Sequence, residues 1–197
     1  GFYAAKLNGT GEHSPVKQYI KKRALTQETM EKFRLGYAPE DDWEALAKFL
    51  AAKEFSPELL EKAGLVNKRE KTKRSYDKFH GRLIFPIYDI KGQIVAFGGR
   101  IIGDGQPKYL NSNQTAIYNK SEQLYAINFA ANKIRQKDIA VVMEGYMDVL
   151  MAHQCGVDIA VAPLGTAFTT QQAMLLKRCT TNVLLAFDGD KAGSSAS

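Results

Sequence analysis

Four carboxylates stand where two apolar runs end. Ile139-Ala140-Val141-Val142-Met143 closes at Glu144-Gly145-Tyr146-Met147-Asp148, and Val183-Leu184-Leu185-Ala186-Phe187 closes at Asp188-Gly189-Asp190. Short apolar runs ended by glycine are expected to be buried strands of a parallel sheet, and open α/β sheets bind ligands past the carboxyl ends of such strands. Asp188 and Asp190 share one side of an extended chain. Asp148 lies about one helical turn beyond Glu144 and can face the same crevice. Grouped carboxylates repel unless a cation sits among them, and oxygen donors suit a hard divalent ion, Mg2+ or Mn2+, that also holds phosphates. Any one of these acids alone reads as a helix cap or a solvated loop residue. Two clusters at two strand ends read as a metal site built from Glu144, Asp148, Asp188 and Asp190.

The elements that must position these acids follow from hydrophobic pattern. From residue 138 the order is strand 139–143, helix 146–155, strand 158–162, helix 169–180 and strand 183–187, the mark of a parallel α/β unit. Upstream, Ser14-Pro15 and Ser56-Pro57-Glu58 are helix starts, and Thr26 to Thr29 opens another helix. Asp41-Asp42 is expected to cap a helix that sends Trp43, Leu46, Phe49 and Leu50 into the core. Residues 82–102 alternate as an antiparallel pair around the turn Asp89-Ile90-Lys91-Gly92, and Gly98-Gly99 permits close approach of another group. Residues 121–133 read as a helix. The fold class is therefore an α+β amino-terminal subdomain, residues 1–137, followed by a partial α/β subdomain, residues 138–197.

Charge divides along the same line. The chain of 197 residues carries +6 overall. Residues 1–137 hold 24 Lys and Arg against 15 Asp and Glu, whereas residues 138–197 hold 3 against 6. A basic part joined to an acidic, metal-ready part suits nucleic acid led past a metal site, and equally a merely soluble basic surface. Lys68, Arg69, Lys71, Lys73, Arg74 and Lys78, set against Glu70 and Asp77, read as an exposed loop or hairpin arm. That arm either contacts a nucleic-acid backbone or is simply solvated. No apolar run reaches the roughly 18 residues of a membrane span, and no signal peptide is visible. Cys155 and Cys179 lack metal spacing and read as reduced core thiols, which points to the cytoplasm. His13, His80 and His153 are scattered and receive no role. The chain opens on Gly1 rather than methionine, so it is expected to be a piece of a longer protein.

Glu144-Gly145 and Asp188-Gly189-Asp190 resemble the Toprim pattern of primases, topoisomerases and some nucleases. A longer series resembles the bacterial DnaG-type DNA primase, in its RNA polymerase domain. It comprises Phe33-Arg34-Leu35-Gly36-Tyr37-Ala38-Pro39, Gly81 to Ile87, Phe97-Gly98-Gly99-Arg100, Pro107-Lys108-Tyr109-Leu110-Asn111-Ser112, Asn119-Lys120, Glu144 to Val149, Leu164-Gly165-Thr166 and Asp188 to Gly193. The resemblance runs from about residue 14 to the last residue. It implies metal-dependent synthesis of short RNA primers on single-stranded DNA from ribonucleoside triphosphates.

In that frame Glu144, Asp188 and Asp190 are catalytic. Asp188 and Asp190 carry the metal, Asp148 helps, and Glu144 either holds metal through water or acts as a general acid–base. Arg82, Arg100, Lys108, Asn111 and Lys120 would hold nucleotide phosphates and the template–product duplex. Arg82 has the alternative of pairing with Asp89 or another local acid, and Asn111 that of holding its own turn. Tyr109 and Tyr118 either stack on bases or pack. The resemblance also implies a Toprim sheet cut short, lacking one strand and a further acidic motif, with an exposed edge that invites dimerisation or aggregation. Helicase and single-stranded-DNA-binding protein would be partners of the full protein through regions absent here. Two rivals stand: another Toprim enzyme, a topoisomerase or nuclease, or a fragment that binds nucleic acid or nucleotides without catalysis. A topoisomerase needs a nucleophilic tyrosine in another domain, and none is identifiable.

Overall fold

The computed structural model describes residues 1–69, 75–165 and 167–187. In chain order the elements are α1 (Phe2–Asn8), α2 (Pro15–Lys22), α3 (Gln27–Lys32), β1 (Gly36–Ala38), α4 (Ala45–Ala51), α5 (Pro57–Lys62), β2 (Val66–Lys68), β3 (Ser75–Asp77), β4 (Arg82–Tyr88), β5 (Ile94–Ile101), β6 (Tyr109–Asn111), α6 (Ile127–Lys137), β7 (Ala140–Met143), α7 (Tyr146–Gln154), β8 (Ala160–Val161), α8 (Thr170–Lys177) and β9 (Val183–Ala186). They form two compact units. The first takes residues 1–24, 30–86 and 96–117, and the second takes residues 25–29, 87–95 and the chain from Tyr118 on. The tip of the β4–β5 hairpin thus belongs to the second unit.

In the first unit a sheet runs β1-β4-β5-β6, with β2 and β3 as a separate antiparallel pair. Helix starts follow the sequence: Pro15 and Pro57 occupy first-turn positions, and the Ser56 hydroxyl accepts from the Leu59 N–H. Gly36 on β1 lets α1 lie directly on the sheet, because a Cβ there would stand 2.5 Å from the Tyr3 Cβ. Tyr3, Ala38, Leu46, Phe79 and Ile84 make the core beneath it. The β4–β5 turn is where the sequence puts it. The Asp89 carboxylate accepts from the N–H groups of Lys91 and Gln93, each at 2.9 Å.

Three expectations for this unit need correction. β4 is buried along its whole length instead of alternating, because β1 and β5 flank it and both its faces are covered. Trp43 is not core. It is 44% exposed and lies ahead of α4 rather than on it; of that short helix Leu46 turns inward, 4% exposed, whereas Phe49 is 39% exposed. The Trp43 ring rests on His80, with centroids 3.5 Å apart. Nor is α4 capped by Asp41-Asp42. Asp77 reaches in from β3, its two carboxylate oxygens accepting from Leu46 N at 2.6 Å and Ala47 N at 3.0 Å. The basic arm is a hairpin at β2 and β3, and Lys71, Lys73 and Arg74 lie outside the described residues.

The second unit is a parallel sheet in the order β8-β7-β9, with Val141 opposite Ala160 and Leu184. Central β7 is packed by Leu124, Ile127, Ala130, Ile134, Ile159 and Leu176. β9, read from the sequence as buried, is exposed: Val183 41%, Leu184 54% and Leu185 41%. Among the described residues it pairs with β7 alone and forms the sheet edge. The helix expected over 121–133 is Ile127–Lys137, because residues 121–126 are held as a loop by Thr169 and Gln172. Cys155 is no core thiol. It is exposed at the end of α7, and Cys179 is half-buried; both are free. Among the described residues no helix is long and apolar enough to cross a membrane.

Candidate functional site

The candidate site residues fall into two groups, one in each unit. In the second unit Glu144 follows β7 directly, and Gly145 begins the turn into α7. The Gly145 N–H donates to Asp148 Oδ2 at 3.1 Å, so Asp148 closes the first turn of α7 as a capping acid. Both carboxylates are exposed. A Cβ on Gly145 would stand 3.6 Å from Asp148 Oδ2, so glycine leaves open the space next to that oxygen. The donors are oxygens only, the set that hard divalent cations take, and one or two such carboxylates with substrate phosphates is the usual Mg2+ arrangement. Among the described residues no group of three or more potential ligands surrounds a common point. Asp188 and Asp190 lie outside the described residues, as does Thr166.

Lys120 belongs to the same unit and is exposed on the loop before α6. Its backbone is fixed by a residue that sequence reasoning passed over. Gln172 is fully buried, and its side-chain amide donates to Lys120 O at 3.1 Å and Gln123 O at 2.9 Å. Its carbonyl accepts from Thr169 N, which completes a capping box at the start of α8. The spacing Thr169-x-x-Gln172 was the available signal.

In the first unit the basic residues gather on β4, β5 and β6. Arg100 on β5 lies opposite Tyr109 on β6, and Asn111 lies opposite Gly98, so Asn111 stands in a strand and not in a turn of its own. Lys108 directly precedes β6, its carbonyl accepting from Ile101 N at 3.0 Å, and it is exposed. Arg82 is buried, 4% exposed, with Nη1 donating to Gly99 O at 3.2 Å and Pro107 O at 2.9 Å. It therefore ties the β5–β6 connection to β4 through carbonyls rather than pairing with Asp89, and desolvation pulls its pKa down. Tyr118 is buried, whereas Tyr109 is 38% exposed beside Arg100. Neighbouring Lys78 donates to Asn113 Oδ1 at 2.8 Å, and burial lowers its pKa as well.

A parallel sheet whose central strand ends in an acid-glycine turn defines the class: the second unit is Toprim-like, and the family of that description matches residues 141–197. The family described as the DNA primase catalytic core, N-terminal domain, matches residues 2–131, and the chain belongs to it. The DNA primase of Clostridium acetobutylicum is 45% identical over 184 residues, which are 93% of this chain and 30% of that protein. The RNA polymerase domain of the Mycobacterium tuberculosis primase DnaG superposes with a TM-score of 0.91 at 37% identity, over 99% of this chain and 65% of that one. A DnaG primase catalytic domain bound to single-stranded DNA gives 0.86 at 39% identity, over 99% and 60%. The chain thus spans about a third of the length of the curated relatives it matches.

Proposed function

We propose that this chain is the part of a DNA primase that joins ribonucleotides on a single-stranded DNA template. The observation that carries the reading is the acid-glycine turn at the carboxyl end of β7, within a chain of the primase catalytic-core family. The basic amino-terminal portion, residues 1–137, supplies the nucleic-acid and nucleotide ligands Arg100, Lys108, Asn111 and Lys120. Arg82 acts from beneath them as the tie that fixes β5 against the connection to β6. The Toprim portion, residues 138–197, supplies Glu144, Asp148, Asp188 and Asp190.

Glu144 and Asp148, with Asp188 and Asp190, would hold Mg2+ or Mn2+. Bound there, the ion would neutralise the triphosphate and favour ionisation of the attacking 3′-hydroxyl. Glu144 either holds the ion through water or takes the proton from that hydroxyl. Lys108 and Lys120 act as point charges on phosphates and Arg100 as a planar fork. In the longer protein, the replicative helicase and single-stranded-DNA-binding protein are the partners, and the cytoplasm is the compartment. DNA primases among the relatives favour this reading over a topoisomerase or nuclease.

The test is incorporation of labelled ribonucleotides on single-stranded DNA with Mn2+, for this chain and for a polypeptide extended to the length of its relatives. The expected result is template-dependent RNA from the extended polypeptide that Glu144→Gln abolishes. Strand cleavage or relaxation without RNA synthesis would overturn it.

A further inference from the structure

Among the described residues no carboxylate pairs with the Arg100 guanidinium. Its Nη1 donates to the carbonyl of the next residue, Ile101, at 2.9 Å. Its Nε is buried without a hydrogen-bond partner, which is costly for a cationic donor unless something else accepts from it. The Tyr19 ring face holds the group, and the Tyr109 side chain also hydrogen-bonds to it. The Arg100 Cζ lies 4.1 Å from the Tyr19 ring centroid and 6.0 Å from that of Tyr109. Arg23, one turn further along from Tyr19, places its own Cζ 5.6 Å from the same Tyr19 ring. The Tyr19 hydroxyl makes no hydrogen bond among the described residues, so the ring is the part of Tyr19 that works.

The difference between a ring and an acid matters for a phosphate ligand. A carboxylate would orient the guanidinium but would occupy its N–H edge and cancel its charge. A ring face orients the same plane by cation–π attraction and leaves to the ligand the charge and those outward N–H groups that Ile101 O and Tyr109 do not engage. We infer that Tyr19 is a positioning residue for Arg100, holding the guanidinium flat so that its N–H edge meets a backbone phosphate of single-stranded nucleic acid. The inference rests on the reading of Arg100 as a backbone ligand.

The experiment separates the two. Binding of a short fluorescent oligothymidylate to the full chain is measured across a salt series for the wild type, Arg100→Ala, Tyr19→Leu, Tyr19→Phe and the double variant Tyr19→Leu/Arg100→Ala. Each phosphate contact contributes about 0.7 to the slope of log affinity against log salt for single strands. Arg100→Ala is expected to lower the slope by about that much. Tyr19→Leu, which removes no charge, is expected to lower it too and to weaken binding roughly three- to tenfold, the double variant matching Arg100→Ala. Tyr19→Phe is expected to behave as wild type. Tyr19→Met repeats the aromatic deletion with a different shape, so that poor packing of leucine cannot decide the outcome.

An unchanged slope in Tyr19→Leu and Tyr19→Met, with a lowered one in Arg100→Ala, overturns the positioning role and leaves the Arg100 reading intact. So does loss in Tyr19→Phe, or additive losses in the double variant. An unchanged slope in Arg100→Ala overturns both.

Discussion

Gly99→Ala adds a single methyl group at a place with no room for it. Gly99 sits on β5 next to Arg100, opposite Leu110, and its carbonyl accepts from Arg82. A Cβ there would stand 2.8 Å from Phe79 Cδ1, 3.2 Å from Phe79 Cε1 and 3.1 Å from Arg82 Cδ. The nearest contact is short of an ordinary carbon–carbon separation by ~0.7 Å. Phe79 is 1% exposed, so its ring has nowhere to retreat, and Arg82 is tied at both Gly99 and Pro107. Overpacking of this kind costs about 1–3 kcal/mol, and loss of glycine's flexibility in a strand returns about 0.5–1 kcal/mol. With the upper part of the overpacking range, about 2–3 kcal/mol, for a buried ring that cannot move, the net expectation is roughly 1–2.5 kcal/mol of lost stability, or a Tm lower by about 2–10 °C for a chain of this size. Urea denaturation followed by circular dichroism measures it, with Gly11→Ala as the reference, since a Cβ at Gly11 meets nothing within 4 Å. Equal stability of the two variants would falsify the claim that glycine is required at position 99 by close packing.

Three further outcomes are expected. Burial, helped by the Asp42 and Glu44 carboxylates, pushes the Asp77 carboxyl up to about 6 against the pull of its two N–H donors. The folded chain therefore keeps a proton that the unfolded chain releases at lower pH, and stability should fall as pH rises from about 4 to about 6, then level off. Asp77→Asn should flatten that slope in thermal melts at a series of pH values, and an unchanged slope would place its origin elsewhere. Gln172→Leu leaves the half-buried Lys120 and Gln123 carbonyls without their amide donor and should cost about 1 kcal/mol or more in urea titrations. A neutral result would mean that the loop is held by other contacts. Glu144→Gln and Asp148→Asn should each weaken Mn2+ binding, read by electron paramagnetic resonance of the free ion; wild-type titrations in both would remove these acids from the metal site.

The second unit was legible because its signals are local. Apolar runs of four or five residues, each closed by an acid and glycine, set β7, α7 and β9 within a residue or two. The apolar pattern of β9 did not by itself reveal its exposure, since a run of valine and leucine reads the same at an edge as in the middle of a sheet; only the family resemblance implied an exposed edge. The helix starts at Ser14-Pro15 and Ser56-Pro57 in the first unit, and the turn at Asp89 in the second, were read correctly, each fixed by neighbours in the chain. The misses are long-range. Asp77 caps a helix that begins about 30 residues earlier, and nothing near Asp41 could announce it. Tyr19 and Arg100 meet across about 80 residues of sequence. Arg82 could be singled out by its motif, but that its Nη1 serves two carbonyls depends on the path of the β5–β6 connection.

The tilted Trp43–His80 contact at the base of the basic hairpin has an optical consequence. Trp43 is the chain's single tryptophan, so its emission comes from one place, and the His80 ring lies against it. An imidazolium quenches indole emission by accepting an electron, whereas a neutral imidazole does so weakly. Desolvation and the nearby Arg82 charge hold His80 below its usual range of 6.5. The native fluorescence should therefore stay bright at neutral pH and dim as the pH falls below the usual imidazole range. The molecule carries a built-in optical gauge of the hairpin beside β3, readable without any label.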